Sequence, residues 1–343
     1  MLFKRLICVV IAALGVSATG MTASAMAGTL TGEGSSLVAP LENEWAAAFQ
    51  SQTGNKVDYG DPGSGPGQTA IENNEVDFGA SDYPLPTTEL GACSGGCLVI
   101  PWALSATGIG YNIPHVGYGL HLSGSVIANI WLGSIRNWDS PEIAKLNKGV
   151  HLPNLAITPV VRTGGSGDSY AFSHFLADHA AAFRGSPYDY PSSTMTTPPD
   201  GVAKSGNAGV AGFVSATPGA IGYISGSYLI AQEITTAKVE NAAGNYEYPE
   251  PNQIKEAAAT VKSIGPDGVS IVDPPKKEKI AYPISTFTYA LVPKNPTGGD
   301  GPLLKQWLTF CLTTGHSYGF SLDFVPLSKS IQDGALAQVN SIS

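Results

Sequence analysis

The stretch ITPVVRTGGSGDSYAF, residues 157–172, contains the pattern from which the fold can be predicted. An apolar run from Ile157 to Val161 leads into Arg162 and then into the turn Gly164-Gly-Ser-Gly167. The run from Ser169 to Phe183 has apolar residues at helical spacing. The order strand, turn and helix predicts one unit of an α/β fold, with the turn at the start of the helix.

Two further turns of the same kind precede predicted helices. Thr31-Gly-Glu-Gly-Ser-Ser36 comes before a helix predicted at about 37–52, and Gly63-Ser-Gly-Pro-Gly67 comes before one predicted from Gln68 to Asn74. The first N–H groups of a helix are free donors at its positive end. Glycine lets the backbone approach a ligand, and serine adds a hydroxyl donor.

One glycine- and serine-rich turn is more often an ordinary helix N-cap than a ligand site. Three of them in one chain, one directly after Arg162, favour an anion site. The guanidinium of Arg162 has the fork geometry that binds two oxygens of a tetrahedral anion. The sequence therefore predicts that the three turns and Arg162 meet around a small oxyanion.

The rest of the chain also alternates short strands with helices, and no internal repeat is evident. Strands are predicted at 56–59, 76–78, 220–224 and 286–292, and a late helix at 303–313. The polar, proline-containing stretch 231–277 indicates no clear element. The pattern predicts layered α/β architecture.

Asp77, within EVDFGASDYPL (75–85), is the candidate hydrogen-bond acceptor of the site. The alternative is an ordinary aspartate that caps a turn at the end of a strand. In an anion pocket a carboxylate repels the ligand unless the ligand carries a proton. A site with such an acceptor therefore selects protonated oxyanions, such as hydrogen phosphate or arsenate, over sulfate.

The N-terminus has the pattern of a secretory signal. Lys4-Arg5 precedes an apolar run from Leu6 to Val16, and small residues allow cleavage after Ala25 or Ala27. The run is too short to span about 30 Å of hydrocarbon. Residues 1–27 are therefore predicted to be a signal peptide that is removed, and the mature protein is expected in the periplasm.

The charge of the chain argues against several classes of partner. Its formal net charge is −9 over 343 residues, and loss of the signal segment removes two basic residues and no acidic ones. An acidic exported protein is a poor candidate for binding nucleic acid or anionic membranes. Any anion site must therefore act locally, against an unfavourable overall field.

The cysteines and histidines suggest no metal site and no cofactor. Cys93 and Cys97 are four residues apart in an oxidising compartment, so a local disulfide is expected, with a metal site as the weaker alternative. Cys311 lies in an apolar helical stretch and is expected to be a buried thiol. Cys8 lies inside the apolar run of the signal, which makes it a poor lipidation site.

One motif points to an enzyme instead. Gly315-His-Ser-Tyr-Gly319 matches the G-x-S-x-G elbow of serine hydrolases. An elbow needs a strand before the serine, whereas a helical stretch precedes Ser317. The hydrolase order also needs a histidine after the serine, and His316 is the last in the chain. We therefore predict a protein without enzymatic activity.

Seven blocks of this sequence can be compared with known families: TGEGSSLVAPLENEW (31–45), DPGSGPGQ (61–68), EVDFGASDYPL (75–85), LGSIRNWDSPEIAKLNKGVHLPNLAITPVVR (132–162), GGSGDSYAF (164–172), KSGNAGVAGFV (204–214) and TPGAIGYI (217–224). These blocks resemble the periplasmic phosphate-binding proteins of the ABC phosphate transporter family. They occur in order over most of the mature chain, which makes the match specific.

The resemblance implies a two-domain periplasmic-binding-protein fold of type II with a hinged ligand cleft. Domain 1 would comprise residues 28–104 and 286–343, and domain 2 residues 105–285. Crossings between the domains are expected near Pro101–Gly108 and Pro283–Phe287.

The resemblance also implies a ligand set. Carried over by position, it comprises Ser36, the backbone of Leu37, Ser64, Asp77, Arg162, Ser166, Gly167 and Asp168.

Three positions depart from the family pattern. Leu37 stands where the family has an aromatic residue. The family's R-x-D-G-S-G-T becomes Arg162-Thr-Gly-Gly-Ser-Gly-Asp168, so that an acidic residue becomes Gly164 and a hydroxyl donor becomes Asp168. Either Asp168 pairs with Arg162 in place of the lost carboxylate, or it faces the ligand as a second acceptor, or the pocket has changed ligand.

The partners implied by the resemblance are inorganic phosphate or a related oxyanion and an ABC permease of the inner membrane. The protein is expected to be a monomer. The alternative is a paralogue with changed anion specificity, or one that serves a sensor, since the same cleft would suit either role.

Overall fold

The computed structural model of the chain describes residues 27–86, 90, 93, 95–185 and 187–343. The predicted signal peptide up to Met26, including Cys8, lies outside the described residues. The strands are β1 Thr29–Gly34, β2 Lys56–Gly60, β3 Phe78–Ser81, β4 Cys97–Tyr111, β5 His121–Leu122, β6 Thr158–Arg162, β7 Val202–Lys204, β8 Ala220–Ser225, β9 Lys238–Glu240, β10 Tyr246–Glu247 and β11 Ser285–Pro293.

The helices alternate with these strands, as the sequence predicted. They are α1 Ala39–Thr53, α2 Ser64–Glu72, α3 Gly124–Trp131, α4 Pro141–Leu146, α5 Gly167–His179, α6 Gly206–Ala216, α7 Gly226–Ala231, α8 Pro251–Ala257, α9 Gly301–Leu312 and α10 Lys329–Asn340. Short 3-10 helices lie at Ala181–Arg184, Thr314–Tyr318 and Phe320–Leu322. The α/β prediction is confirmed.

Eight strands form one sheet in the order β2-β1-β3-β11-β4-β8-β6-β7. The long strand β4 changes partner along its length: Cys97–Ala106 pairs with β11, and Thr107–Tyr111 pairs with β8. We call the strands β2, β1, β3 and β11 the first half of the sheet, and β8, β6 and β7 the second half. β4 is the strand that joins them.

The strand directions bring the carboxyl ends of the two halves together. Strands β1, β2 and β3 are parallel, and β11 runs antiparallel to both β3 and β4, so β4 points the same way as β3. Strand β8 is antiparallel to β4 and parallel to β6. The carboxyl ends of β3 and β6 therefore face each other across the middle of β4, and such ends are where α/β sheets bind ligands.

Helix α1 is held by an aromatic cluster in the first half of the sheet. Its apolar stripe places Leu41, Trp45 and Phe49 in the core, each no more than 1% exposed. The Trp45 ring packs edge-on against Trp102 of β4 and Trp307 of α9. This packing fixes the start of α1, and with it the turn that follows β1.

Some element boundaries differ from the sequence-based prediction. Helix α2 begins at Ser64 rather than at Gln68, and β3 begins at Phe78 rather than ending there. The glycines that suggested a loop allow α2 to pack closely: a Cβ on Gly67 would lie 2.4 Å from Gly34 Cα. Residues 231–277, left unassigned from sequence, contain β9, β10 and α8.

The cysteine predictions hold where the structure describes them. Cys93 and Cys97 form a disulfide with a Cα–Cα distance of 5.1 Å. Cys311 is a buried free thiol on α9.

The hydrolase motif lacks the required context. Ser317 follows helix α9 and lies in the 3-10 helix Thr314–Tyr318, where its Oγ donates to the Thr314 carbonyl at 2.9 Å. The element directly before it is helix α9 and not a strand. Within the described part of the chain, no helix has the length and apolar character needed to cross a membrane.

The Cys93–Cys97 disulfide closes a short loop, so its expected contribution to stability is modest. We expect the double variant Cys93→Ser/Cys97→Ser to lower the free energy of unfolding by about 2 kcal/mol, because a small loop loses little chain entropy. Denaturant unfolding of both proteins measures this. Reductant should destabilise the wild type by the same amount and leave the variant unchanged; equal stability of the two oxidised proteins would contradict the prediction.

Candidate functional site

The turn after β1 places two serines at the carboxyl end of the first half of the sheet. Ser35 Oγ donates to Asp82 Oδ2 and accepts from the Leu37 amide at 3.0 Å. The Leu37 amide, predicted to contact a ligand, is thus engaged by Ser35. Ser36 is buried, and its Oγ accepts hydrogen bonds from Asn207.

The first residue of α2 connects the two halves of the sheet. Ser64 Oγ donates to Asp82 Oδ2 at 3.2 Å and accepts from the Gly167 amide at 3.2 Å. The Gly65 amide donates to the Gly165 carbonyl at 3.2 Å, and a Cβ on Gly65 would lie 3.0 Å from Gly165 Cα. The two glycine-rich turns therefore touch, and the space between them is tight for a side chain at Gly65.

Arg162 ends β6 and is buried with an acidic partner. Its Nη1 lies 3.1 Å from Asp168 Oδ2, and both side chains are 1% exposed. Asp168 also accepts from Thr107 Oγ1 at 2.7 Å and from Asn207 Nδ2 at 2.7 Å. Of the alternatives for Asp168, the structure shows the ion pair with Arg162. Burial raises the pKa of Asp168, and the guanidinium and the two neutral donors oppose that rise.

Ser166 caps helix α5. Its Oγ accepts from the Ser169 amide at 3.4 Å, the ordinary N-cap bond, so its hydroxyl hydrogen is free to donate elsewhere. Gly167 follows, and a Cβ there would lie 2.4 Å from Asp82 Cβ. The start of α5 is thus packed directly against Asp82 of the first half.

The structure does not bring Asp77 into this cluster. The Asp77 carboxylate accepts from the Thr31 amide at 2.7 Å and from the Thr31 hydroxyl at 3.0 Å, near the beginning of β1. Asp82 stands in the cluster instead, because it follows β3 whereas Asp77 precedes it. The prediction that Asp77 lies among the clustered site residues is therefore wrong, and the aspartate found there is Asp82.

Asp82 has an environment that favours a proton. Burial raises its pKa from an ordinary 3.8 to about 7, the negative charge of Asp168 adds to the rise, and hydrogen bonds from Ser35 and Ser64 oppose it. The positive charge of Arg162 also opposes it. Asp82 is therefore close to half ionised near neutral pH.

Two buried polar atoms of the cluster have no hydrogen-bond partner among the described residues: Arg162 Nε, a donor, and Asp82 Oδ1, an acceptor when ionised. The remaining oxygens and N–H groups are mostly engaged by one another. The cluster therefore suits a ligand that both accepts and donates hydrogen bonds. Within the described part of the chain, no group of three or more His, Cys, Asp or Glu side chains could hold a metal ion.

Most of the predicted site residues do converge. The structure brings together Ser36, Ser64, Arg162, Ser166, Gly167 and Asp168.

Sequence reasoning missed four residues of the cluster: Ser35, Asp82, Thr107 and Asn207. Three of them lie in blocks that carried the family resemblance, and that was the available signal. Thr107 had none, since it lies inside the long strand β4.

Comparisons with known proteins identify the family of this chain. The sequence model of the PBP superfamily domain matches residues 19–314. The phosphate-binding protein PstS of Pasteurella multocida is 31% identical over 312 residues, which cover 90% of this chain and 89% of that protein.

Two solved structures share the fold. A high-affinity periplasmic phosphate-binding protein, solved with phosphate bound, is similar with a TM-score of 0.71 at 21% sequence identity. The match covers 90% of this chain and 93% of that protein's chain. The phosphate-binding protein of Stenotrophomonas maltophilia has a TM-score of 0.69 at 23% identity, and the match covers 91% of this chain and 94% of that protein's chain. The fold is thus the two-domain periplasmic-binding fold, and the chain belongs to the PstS family of phosphate-binding proteins within the PBP superfamily.

Proposed function

We propose that this protein captures phosphate, or a similar protonated tetrahedral oxyanion, for an ABC transporter. The observation that carries the proposal is the buried cluster in which one guanidinium, two carboxylates and three serine-bearing turns meet. The names of the PstS relatives support phosphate as the ligand, and so does the phosphate bound in a protein of the same fold.

The site would recognise the ligand by the proton that the ligand carries. Arg162 Nε can donate to a phosphate oxygen, and ionised Asp82 can accept only from a P–OH group. Sulfate carries no proton at neutral pH and would leave that carboxylate opposed to a negative oxygen. Such unpaired charge in a buried site discriminates strongly against the wrong anion.

We also propose that the two halves of the sheet move as domains that close on the ligand. The division at 28–104 with 286–343, and 105–285, is supported by the change of partner on β4 between Ala106 and Thr107. Closure would exclude water and present one surface to a membrane permease. Export to the periplasm, a monomeric state and the permease as partner remain part of this proposal.

Asp82→Asn tests how the anion is selected. We expect it to weaken phosphate binding by at least about tenfold and to strengthen sulfate binding, because an amide donates where the carboxylate accepted. Isothermal titration calorimetry with phosphate, arsenate and sulfate measures both effects. Asp77→Asn is the matched control and should change neither affinity; a loss there instead would restore Asp77 as the acceptor. Wild-type protein that binds sulfate more tightly than phosphate would reject the proposed function.

The protonation of Asp82 also predicts how stability depends on pH without ligand. Its pKa is about 7 in the folded protein, against an ordinary 3.8, so the folded state holds the proton between those values. The free energy of unfolding should therefore fall as pH rises from about 4 to about 7, by up to about 4 kcal/mol from this group. Denaturant unfolding across this range should show a flatter slope for Asp82→Asn; identical slopes would mean that Asp82 is ionised throughout.

Asp168→Thr restores the family's hydroxyl and removes a negative charge beside Arg162. We expect phosphate to bind about tenfold more tightly above pH 7, because the full guanidinium charge then faces the ligand. Without ligand, the variant should be less stable by about 3 kcal/mol, since Arg162 loses its buried partner. Calorimetry across pH and denaturant unfolding check the two effects. Unchanged affinity at every pH would show that the Asp168 charge does not reach the ligand.

A further inference from the structure

Asn207 occupies a central position that the proposed phosphate contacts do not include. It is the second residue of α6, the helix that packs against the second half of the sheet, and it is fully buried. Its Nδ2 donates to Asp168 Oδ2 at 2.7 Å and to Ser36 Oγ at 3.1 Å. Its Oδ1 accepts from the Ser225 amide at 2.8 Å. One amide side chain thus joins three segments of the cluster.

The orientation of this amide is set by its neighbours. If the side chain were turned over, Oδ1 would face the Asp168 carboxylate and the NH₂ group would face the Ser225 N–H. Both contacts would then be repulsive, because carboxylate oxygens only accept and a backbone N–H only donates. Nδ2 must therefore point toward Asp168 and Ser36.

The fixed amide determines what the Ser36 hydroxyl can do. Both hydrogen bonds recorded at Ser36 Oγ are ones that it accepts, from Asn207 Nδ2 at 3.1 Å and from the Asn207 amide at 3.4 Å. These two donors use both lone pairs of the hydroxyl oxygen. The hydroxyl hydrogen is all that remains for a further partner.

Two other serines of the cluster behave differently. Ser35 and Ser64 both donate their hydroxyl hydrogens to Asp82 Oδ2. In a cluster with two carboxylates, a hydroxyl is readily captured in this way, because a hydrogen bond to a charged acceptor is the stronger one. Asn207 Nδ2 donates to both Ser36 Oγ and Asp168 Oδ2. It therefore occupies the carboxylate oxygen that would otherwise accept the Ser36 hydroxyl hydrogen.

We propose that Asn207 is a positioning residue that keeps the Ser36 hydroxyl available as a donor to the bound oxyanion and joins the two halves of the sheet when they close. The inference rests on the proposed phosphate binding. Ser36 lies on the side of the first half and Asn207 on the side of the second. Asn207 therefore orients the Ser36 hydroxyl only when the two halves are closed. Removing the amide frees Asp168 to compete for the Ser36 hydrogen.

A double-mutant cycle on phosphate affinity tests this coupling. Asn207→Ala and Ser36→Ala should each weaken phosphate binding about tenfold by calorimetry, and the double variant should bind no more weakly than Ser36→Ala alone. A second cycle, of Asn207→Ala with Ser64→Ala, is the matched control, because the Ser64 hydroxyl bonds with Asp82 and with the Gly167 amide. There the two losses should multiply.

The outcomes separate the two proposals. If the wild type binds phosphate but losses multiply in both cycles, Asn207 does not act through Ser36 and the inference is overturned alone. If the wild type binds no phosphate, the proposed function and the inference fail together.

Thermal unfolding monitors folding of each variant. Should Asn207→Ala not fold, the same cycle is run with Asn207→Ser, whose shorter side chain keeps a polar group but cannot bridge Ser36 and Asp168.

Discussion

The burial of charge at the junction of the two halves of the sheet is the constraint on which the rest of the structure depends. Arg162 and Asp168 are each 1% exposed, and Asp82 is 1% exposed beside them. Ions removed from water are tolerated only when they are paired and when hydrogen bonds satisfy their remaining atoms. Ser35 and Ser64 donate to Asp82, and Arg162, Thr107 and Asn207 donate to Asp168. The hydrogen bonds that cross between the two sides join Gly167 to Ser64 and Asn207 to Ser36, and Gly167 packs against Asp82. The carboxylates are therefore shielded from water where the two sides meet.

The sheet topology makes that meeting geometrically simple. Because β4 passes from one half into the other, the carboxyl ends of β3 and β6 face each other across its middle, where Thr107 donates to Asp168. Small residues then allow the backbones to approach. A Cβ on Gly34 would lie 2.2 Å from the Ala80 carbonyl oxygen, at a φ of +152° that L side chains rarely adopt. The cluster is thus built from strand ends and turns whose close contact glycine permits.

The departures of this chain from the family pattern acquire a physical meaning in this setting. The family resemblance implied an acidic residue at position 164; glycine stands there, and the carboxylate that pairs with Arg162 is that of Asp168. One carboxylate therefore still lies beside Arg162, but it comes from position 168 instead of position 164. The hydroxyl donor lost at Asp168 leaves Ser36 and Ser166 as the serines of the cluster whose hydrogens are not given to Asp82. A small oxyanion would then depend on fewer hydroxyl donors.

The sequence by itself determined the α/β units, the three glycine- and serine-rich turns and the position of Arg162 at the end of a strand, because strand, turn and helix signals are local in the chain. It also indicated the disulfide from the spacing of Cys93 and Cys97. Only the tertiary structure decided which carboxylate enters the site. The sequence placed β3 too early, at 76–78, whereas the strand is Phe78–Ser81, so Asp82 and not Asp77 lies at its carboxyl end. Boundaries of short strands depend on pairing with distant strands, and here β1 and β11 fix them.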